Sequence, residues 1–213
     1  MAGMRRRQRP GSSHTAAASS RFAIDLERGL LPAARQVESP NCDDRPPGMA
    51  PELIVVHGIS LPPGEFGGPW IDLLFTNRLP RDAHPYFDSI AELRVSSHLL
   101  IRRDGELVQY VPFHRRAWHA GPSSWLGRER CNDFSIGIEL EGTDHDPYES
   151  TQYAMLGRVI AVLCRSYPSL SPDRIAGHSE IAPGRKTDPG LSFDWPLARA
   201  LVRFELEVGP TSA

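Results

Sequence analysis

DFSIGIEL, residues 133–140, alternates between apolar and small or charged side chains along its whole length. Successive side chains of a strand point to opposite sides, so Phe134, Ile136, Ile138 and Leu140 share one face. Ser135, Gly137 and Glu139 share the other. The apolar face needs a cover, which predicts helices packed against it. The opposite face sets a carboxylate among small neighbours, and small neighbours leave room for something to bind. Glu139 reads in two ways. It is a solvated group on an open sheet face, as its neighbour Glu141 on that face suggests, or a proton-transfer group beside a site.

Outward from this strand, LIVVHG (53–58) is a continuous apolar, β-branched run ending at Gly58. It fits a strand buried on both faces, with His57 at its C-terminal end. HLLIRRDGELVQYV (98–111) places two strand-like runs around Asp104-Gly105, a pair suited to the two positive-φ positions of a type I′ hairpin turn. VESPNCDDRPPGMAPE (37–52), with four prolines and no periodicity, reads as an ordered or partly ordered approach to the core, LPPGEFGGP (61–69) is a loop, and WIDLLFTNRL (70–79) is a short helix.

TQYAMLGRVIAVLCRS (151–166) carries Met155, Leu156, Val159, Ile160, Val162 and Leu163 at helical spacing, with Pro168 past its end, and is the covering helix. A last helix follows Asp194 as N-cap, with Pro196 in its first turn and Gly209-Pro210 as its stop. Its stripe of Leu197, Leu201, Phe204 and Val208 is expected to be buried. Strands and helices mix without a regular βαβ rhythm, which predicts one mixed α/β (α+β) domain.

The chain has 213 residues, 40% hydrophobic and 23% charged, with a formal net charge of −2. That is enough length for one core. Residues 1–20 hold Arg5, Arg6, Arg7 and Arg9 and no acid, so the rest is more acidic than the whole. We read 1–20 as a disordered basic tail, 22–208 as the folded domain and 209–213 as a C-terminal tail. An acidic body with a short basic leader is not the pattern of a nucleic-acid-binding domain. Cys42, Cys131 and Cys164 form no CxxC pair, which argues against a disulfide framework or a cysteine zinc site. No run approaches the ~18 apolar residues of a membrane span, and no apolar signal core follows the arginines. A cytoplasmic monomer is the expectation.

The candidate metal ligands are His57, His98, His114, His119 and His178, with Glu139 and Asp188. Taken singly, each histidine is more often a core or surface residue than a ligand. His57 gains weight from its place at a strand end, where open α/β sheets put their sites. His178 and Asp188 gain weight from GHSEIAPGRKTDPG (177–190), a stretch too broken by Pro183, Gly184, Pro189 and Gly190 to be a helix interior or a central strand. Two imidazoles and a carboxylate make a three-ligand set of the kind that leaves a catalytic zinc one open position. Lys186 is by default a surface cation; beside such a site its ammonium suits a developing oxyanion.

HGISLPPGEFGGPWIDLLF (57–75), LRVSSHLLIRRDGELVQYVPF (93–113), RAWHAG (116–121), GRERCNDFSIGIELEGTD (127–144) and GHSEIAPGRKTDPG together resemble the cytosolic zinc amidases of peptidoglycan recycling. The resemblance spans roughly residues 22–208, with the motifs in family order. It implies a central mixed β-sheet flanked by helices, the fold shared with phage amidases and peptidoglycan recognition proteins. It implies zinc on His57, His178 and Asp188, a catalytic Glu139, an assisting Lys186, and a substrate groove that includes Arg94, Trp118, His119 and Arg130. Two guanidinium groups suit a substrate that carries carboxylates.

The implied reaction is hydrolysis of the amide between the lactyl group of 1,6-anhydro-N-acetylmuramic acid and L-Ala of the stem peptide. Removal of such muropeptides links the family to β-lactamase induction. Two positions depart from the family pattern: Gly58 stands where the family carries Asn, and Glu180 where it often carries Asp. Two other readings are an exported amidase acting on intact peptidoglycan, which needs a signal, and a non-catalytic binding module, which usually lacks a zinc ligand.

Overall fold

The alternating stretch and the LIVVHG run lie side by side at the middle of a sheet, in a computed structural model that describes residues 22–209. The segment 1–20 and residues 210–213 lie outside the described residues. In chain order the strands are β1 (Arg35–Gln36), β2 (Cys42–Asp44), β3 (Leu53–Ile59), β4 (Leu99–Ile101) and β5 (Leu107–Gln109). They continue with β6 (Arg115–Ala117), β7 (Ser124–Trp125), β8 (Arg128–Glu129), β9 (Ser135–Glu141) and β10 (Ile175–Gly177). The α-helices are α1 (Trp70–Phe75), α2 (Ser150–Ser166), α3 (His178–Ile181) and α4 (Trp195–Val208).

Six strands form one mixed sheet in the order β1-β5-β4-β9-β3-β10, in which β4 and β5 are antiparallel and the other neighbours parallel. The two seven-residue strands β3 and β9 sit inside it, so both read as buried runs. On one face Ile54, Val56, Ile136, Ile138 and Leu140 pack against Leu156, Val159, Ile160 and Leu163 of α2 and Val202 of α4. Each such side chain is worth roughly 1.5–3 kcal/mol of burial, and this layer holds the sheet to its helices. On the other side α1 sets Ile71, Leu74 and Phe75 against Leu100, Val108 and Tyr110. Phe134, one residue before β9, leaves the face of Ile136 and joins Leu53, Val55 and Ile181 in a third cluster.

Four local expectations change. The 98–111 hairpin forms, but only Gly105 has positive φ (88°). The Gly105 N–H bonds the Arg102 carbonyl at 2.9 Å, and Asp104 accepts the Glu106 N–H at 2.9 Å. This is a type I turn followed by a left-handed glycine, not a type I′ pair. Helix α1 stops at Phe75 because Asn77 turns left-handed (φ 59°) and the Arg78 N–H closes back on Leu73 at 2.8 Å.

Helix α4 buries Ala198 and Val202, with Leu201 partly covered, while Leu197, Phe204 and Val208 are exposed. Its N-cap is as expected: Asp194 Oδ1 accepts the Leu197 N–H at 2.9 Å. Finally, the second face of β9 is not solvated. Glu139 is 8% exposed and Glu141 2%. Glu141 accepts the Gly67 N–H at 2.7 Å and pairs with Arg102 at 3.3 Å.

Candidate active site

The register of β3 against β9 puts His57 directly beside Glu139 at the C-terminal ends of two parallel strands. β10 lies on the other side of β3, with Gly177 opposite Val56, and the next residue is His178. A short strand followed at once by a helix start therefore delivers the second imidazole next to the first. Glu180 holds that start by accepting the Gly177 N–H at 2.9 Å. The chain then folds back, and the Ser179 N–H meets the Asp188 carbonyl at 2.9 Å. The prolines and glycines of 177–190 shape this return.

Three ligand atoms converge as a result. His57 Nδ1 and His178 Nδ1 are 2.9 Å apart, and Asp188 Oδ2 is 3.3 Å from the first and 3.1 Å from the second. His178 Nε2 faces the Ala120 carbonyl at 3.2 Å, which can only accept, so that nitrogen carries the proton and Nδ1 keeps its lone pair. Two nitrogens and a carboxylate oxygen aimed at one point fit zinc, with a position left for a reacting group. Among the described residues this is the one cluster of His, Cys, Asp or Glu with that spacing.

Proton affinities in the cleft diverge. Burial, the largest influence, pushes the His57 imidazole down to about 4, which keeps it a neutral ligand at pH 7. Burial drives Asp188 upward, but its close contacts with the His178 and His57 imidazoles outweigh it and hold the carboxyl well below the usual range. Burial and then the charge of Asp188 push Glu139 well above the usual carboxylate range, against the pull of Lys186. One carboxyl is thus held as an anion and the other made ready to carry a proton.

These groups floor a cleft of about 660 Å³, walled on one side by Leu74, Phe75, Ile90, Leu93 and Val95. Lys186, Trp118 and His119 line it, along with Tyr86 and Arg185, which were not singled out from the sequence. Arg94 stands between two wall residues, its guanidinium 3.5 Å from the Ala91 and Leu93 carbonyls. Arg130 lines a neighbouring hollow with Asp43 and Arg116, and pairs with Asp133 at 3.1 Å. His98 lies behind the sheet face, accepting the Gly137 N–H at 3.0 Å and contacting Arg45, and His114 is exposed elsewhere.

Tyr148 is a structural residue of the site that no periodicity announced. Its hydroxyl donates to the Pro189 carbonyl at 2.9 Å, bracing the peptide next to Asp188. A Cβ at Gly58 would stand 2.4 Å from that hydroxyl, and one at Gly142 would stand 2.4 Å from the ring. The space beside His57 where the resembled family carries an Asn is therefore shared here with Tyr148.

The sequence matches the N-acetylmuramoyl-L-alanine amidase family over residues 47–191. The 1,6-anhydro-N-acetylmuramyl-L-alanine amidase AmpD of Salmonella typhimurium is 63% identical over 176 residues, 83% of this chain and 94% of its own length. The crystal structure of a Se-Met AmpD derivative superposes with a TM-score of 0.81 at 62% identity, covering 84% of this chain and 99% of that one. The E. coli amidase AmiD, in complex with the substrate anhydro-N-acetylmuramic acid-L-Ala-D-gamma-Glu-L-Lys, aligns at a TM-score of 0.53 and 27% identity, over 74% of this chain and 60% of its own. Mixed sheet, ligand cluster, sequence match and structural neighbours agree: the chain belongs to the N-acetylmuramoyl-L-alanine amidase family.

Proposed function

We propose that the protein is a zinc-dependent amidase that cleaves the lactyl amide between 1,6-anhydro-N-acetylmuramic acid and L-Ala of the stem peptide, in cytoplasmic peptidoglycan recycling. The observation that carries this reading is the convergence of His57 Nδ1, His178 Nδ1 and Asp188 Oδ2 beside the buried Glu139. Its substrate class follows from relatives named for that substrate at 61–63% identity. No helix of the described residues is long and apolar enough to cross a membrane, which is compatible with the cytoplasmic assignment.

His57, His178 and Asp188 would hold the zinc. When bound, it supplies Lewis-acid polarisation of the carbonyl and acidifies water. The chain's own groups then divide the work. Glu139 accepts a proton from the attacking water and delivers it to the L-Ala nitrogen as the C–N bond breaks, and the second water proton follows from the new carboxyl group to the amine, leaving a lactyl carboxylate and an ammonium. A carboxyl pushed above its usual range is suited to both transfers. The Lys186 ammonium, on the cleft wall, stabilises the negative charge that develops on the carbonyl oxygen. The apolar wall seats the substrate away from bulk water, and we assign Arg94, Trp118 and Arg130 to its carboxylates and sugar.

The test is a mass-spectrometric comparison of purified anhydro-muropeptide and intact sacculi as substrates. Rapid release of the stem peptide from the anhydro-muropeptide, with little from sacculi, is the expected result. Preferential cleavage of sacculi would assign the protein to envelope peptidoglycan instead. Zinc binding without cleavage of either would make it a binding module.

A further inference from the structure

Behind the ligands runs a buried chain of hydrogen bonds whose directions can be worked out from one end. Ser135 Oγ lies 2.6 Å from the Cys131 carbonyl oxygen. A carbonyl has no proton to give, so the hydroxyl donates to it and offers only lone pairs elsewhere. His119 Nε2, 3.1 Å from the same Oγ, must therefore carry a proton. In a neutral imidazole the other nitrogen is then an acceptor, and His119 Nδ1 lies 2.9 Å from His57 Nε2. That contact places the His57 proton on Nε2 and its lone pair on Nδ1, the atom that faces His178 and Asp188.

We propose that His119 is a positioning residue that sets the tautomer and ring plane of His57 for zinc, anchored through Ser135 to the Cys131 carbonyl. The inference rests on the zinc reading above. Several features of the molecule are built around this chain. His57, His119 and Ser135 are buried, so no bulk water replaces a missing partner. The His57 and His119 rings meet edge to face at 88°, with centroids 4.9 Å apart. The His119 and Ala120 N–H groups both bond Asn132 Oδ1, at 3.2 and 2.8 Å, which pins the backbone under the ring.

A Cβ at Gly137 would lie 2.6 Å from His119 Cγ, so the ring fits only because that position is glycine. The small residues of the DFSIGIEL face thus have distinct uses: Ser135 anchors the imidazole and Gly137 makes its berth. Both nitrogens of His119 are engaged by protein partners, although the residue lines the cleft.

The experiment begins with zinc binding to the wild-type chain, by competition with a chromogenic chelator. Absence of binding there overturns the zinc reading itself. His119→Phe keeps a ring of similar bulk without an acceptor, Ser135→Ala removes the anchor, and His119→Asn restores an acceptor oxygen near the place of Nδ1. The expected result is a ~10–100-fold weaker zinc affinity for His119→Phe, a smaller loss for Ser135→Ala, and recovery of most of the affinity in His119→Asn. Melting of the metal-free variants monitors the fold.

Long-range nitrogen–proton NMR on the zinc-loaded wild type needs no variant. It should show His57 and His119 each protonated at Nε2 and bare at Nδ1. Unchanged affinity in His119→Phe, or a proton on Nδ1 of His119, would overturn the assignment.

Discussion

Asp188 and Glu139 occupy one cleft, yet their surroundings drive their proton affinities apart. Close contacts with two imidazoles outweigh burial and hold the first as an anion, while burial and the neighbouring charge keep the second well above its usual range. That asymmetry suits the first to the ligand role and the second to the proton-carrying role proposed above. Lys186 adds an ammonium to the cleft lining. Lys186→Met should lower kcat by ~10²–10³, as loss of one oxyanion donor does, with zinc content unchanged. Steady-state kinetics on the anhydro-muropeptide with metal analysis of the same sample checks this. An unaltered kcat would remove Lys186 from the mechanism.

At this scale the sequence was informative where a residue type stood in an unusual place. An imidazole at the end of an apolar strand and a His and Asp in a broken loop pointed to the three side chains that converge in the cleft. Tyr148 gave no such sign, and His119 stood out only as a candidate ligand and groove residue, because their partners Pro189 and His57 lie far along the chain and follow no period.

At the scale of elements, α2 and α4 hold the sheet from one side, and their closeness depends on a glycine. A Cβ at Gly157 of α2 would lie 3.0 Å from Leu201 Cβ and 3.2 Å from its carbonyl carbon. Gly157→Ala should therefore overpack the helix interface. Overpacking costs roughly 1–3 kcal/mol and the gain in helix propensity offsets about 1 kcal/mol of it. A lower urea midpoint with zinc affinity unchanged is the expected outcome, and a stabilised variant would contradict the packing account.

The same contact explains why the buried face of α4 was misjudged from sequence. Leu197, Leu201, Phe204 and Val208 form the more hydrophobic stripe, but the close approach at Gly157 turns the small Ala198 and Val202 inward. Strand identities were easier to read, since alternation and β-branched runs report directly on burial. Turn type was harder. Asp104-Gly105 is compatible with two turns, and the side-chain bond from Asp104 to the Glu106 N–H goes with the one seen.

For the whole molecule, the three thiols and several tyrosines share one tendency. Burial pushes Cys164 up to about 11, and it also raises Cys42, Cys131, Tyr110, Tyr148, Tyr153 and Tyr167. These groups keep their protons in the folded chain at a pH where the unfolded chain releases them. The unfolded state then binds fewer protons, so stability falls as pH rises. For Cys164 the stability is intact below the free thiol value of about 8.5 and is lost progressively toward about 11. Urea midpoints measured between those limits should fall steadily, and Cys164→Ala should flatten the slope. A midpoint independent of pH over that interval would contradict the burial of these groups.

The architecture as a whole, a mixed sheet with helices against it, follows from its parts: two buried parallel strands carry His57 and Glu139, and the loop after β10 returns Asp188 to them. The most direct test of the account is product analysis of the anhydro-muropeptide by mass spectrometry, with wild-type and Glu139→Gln proteins whose zinc is quantified in the same samples. Both should hold one zinc per chain, the wild type should release the stem peptide from the lactyl group, and the variant should do so ~10²–10⁴-fold more slowly. Wild-type turnover by a zinc-loaded Glu139→Gln protein, or an intact lactyl amide after incubation with the zinc-loaded wild type, would contradict it.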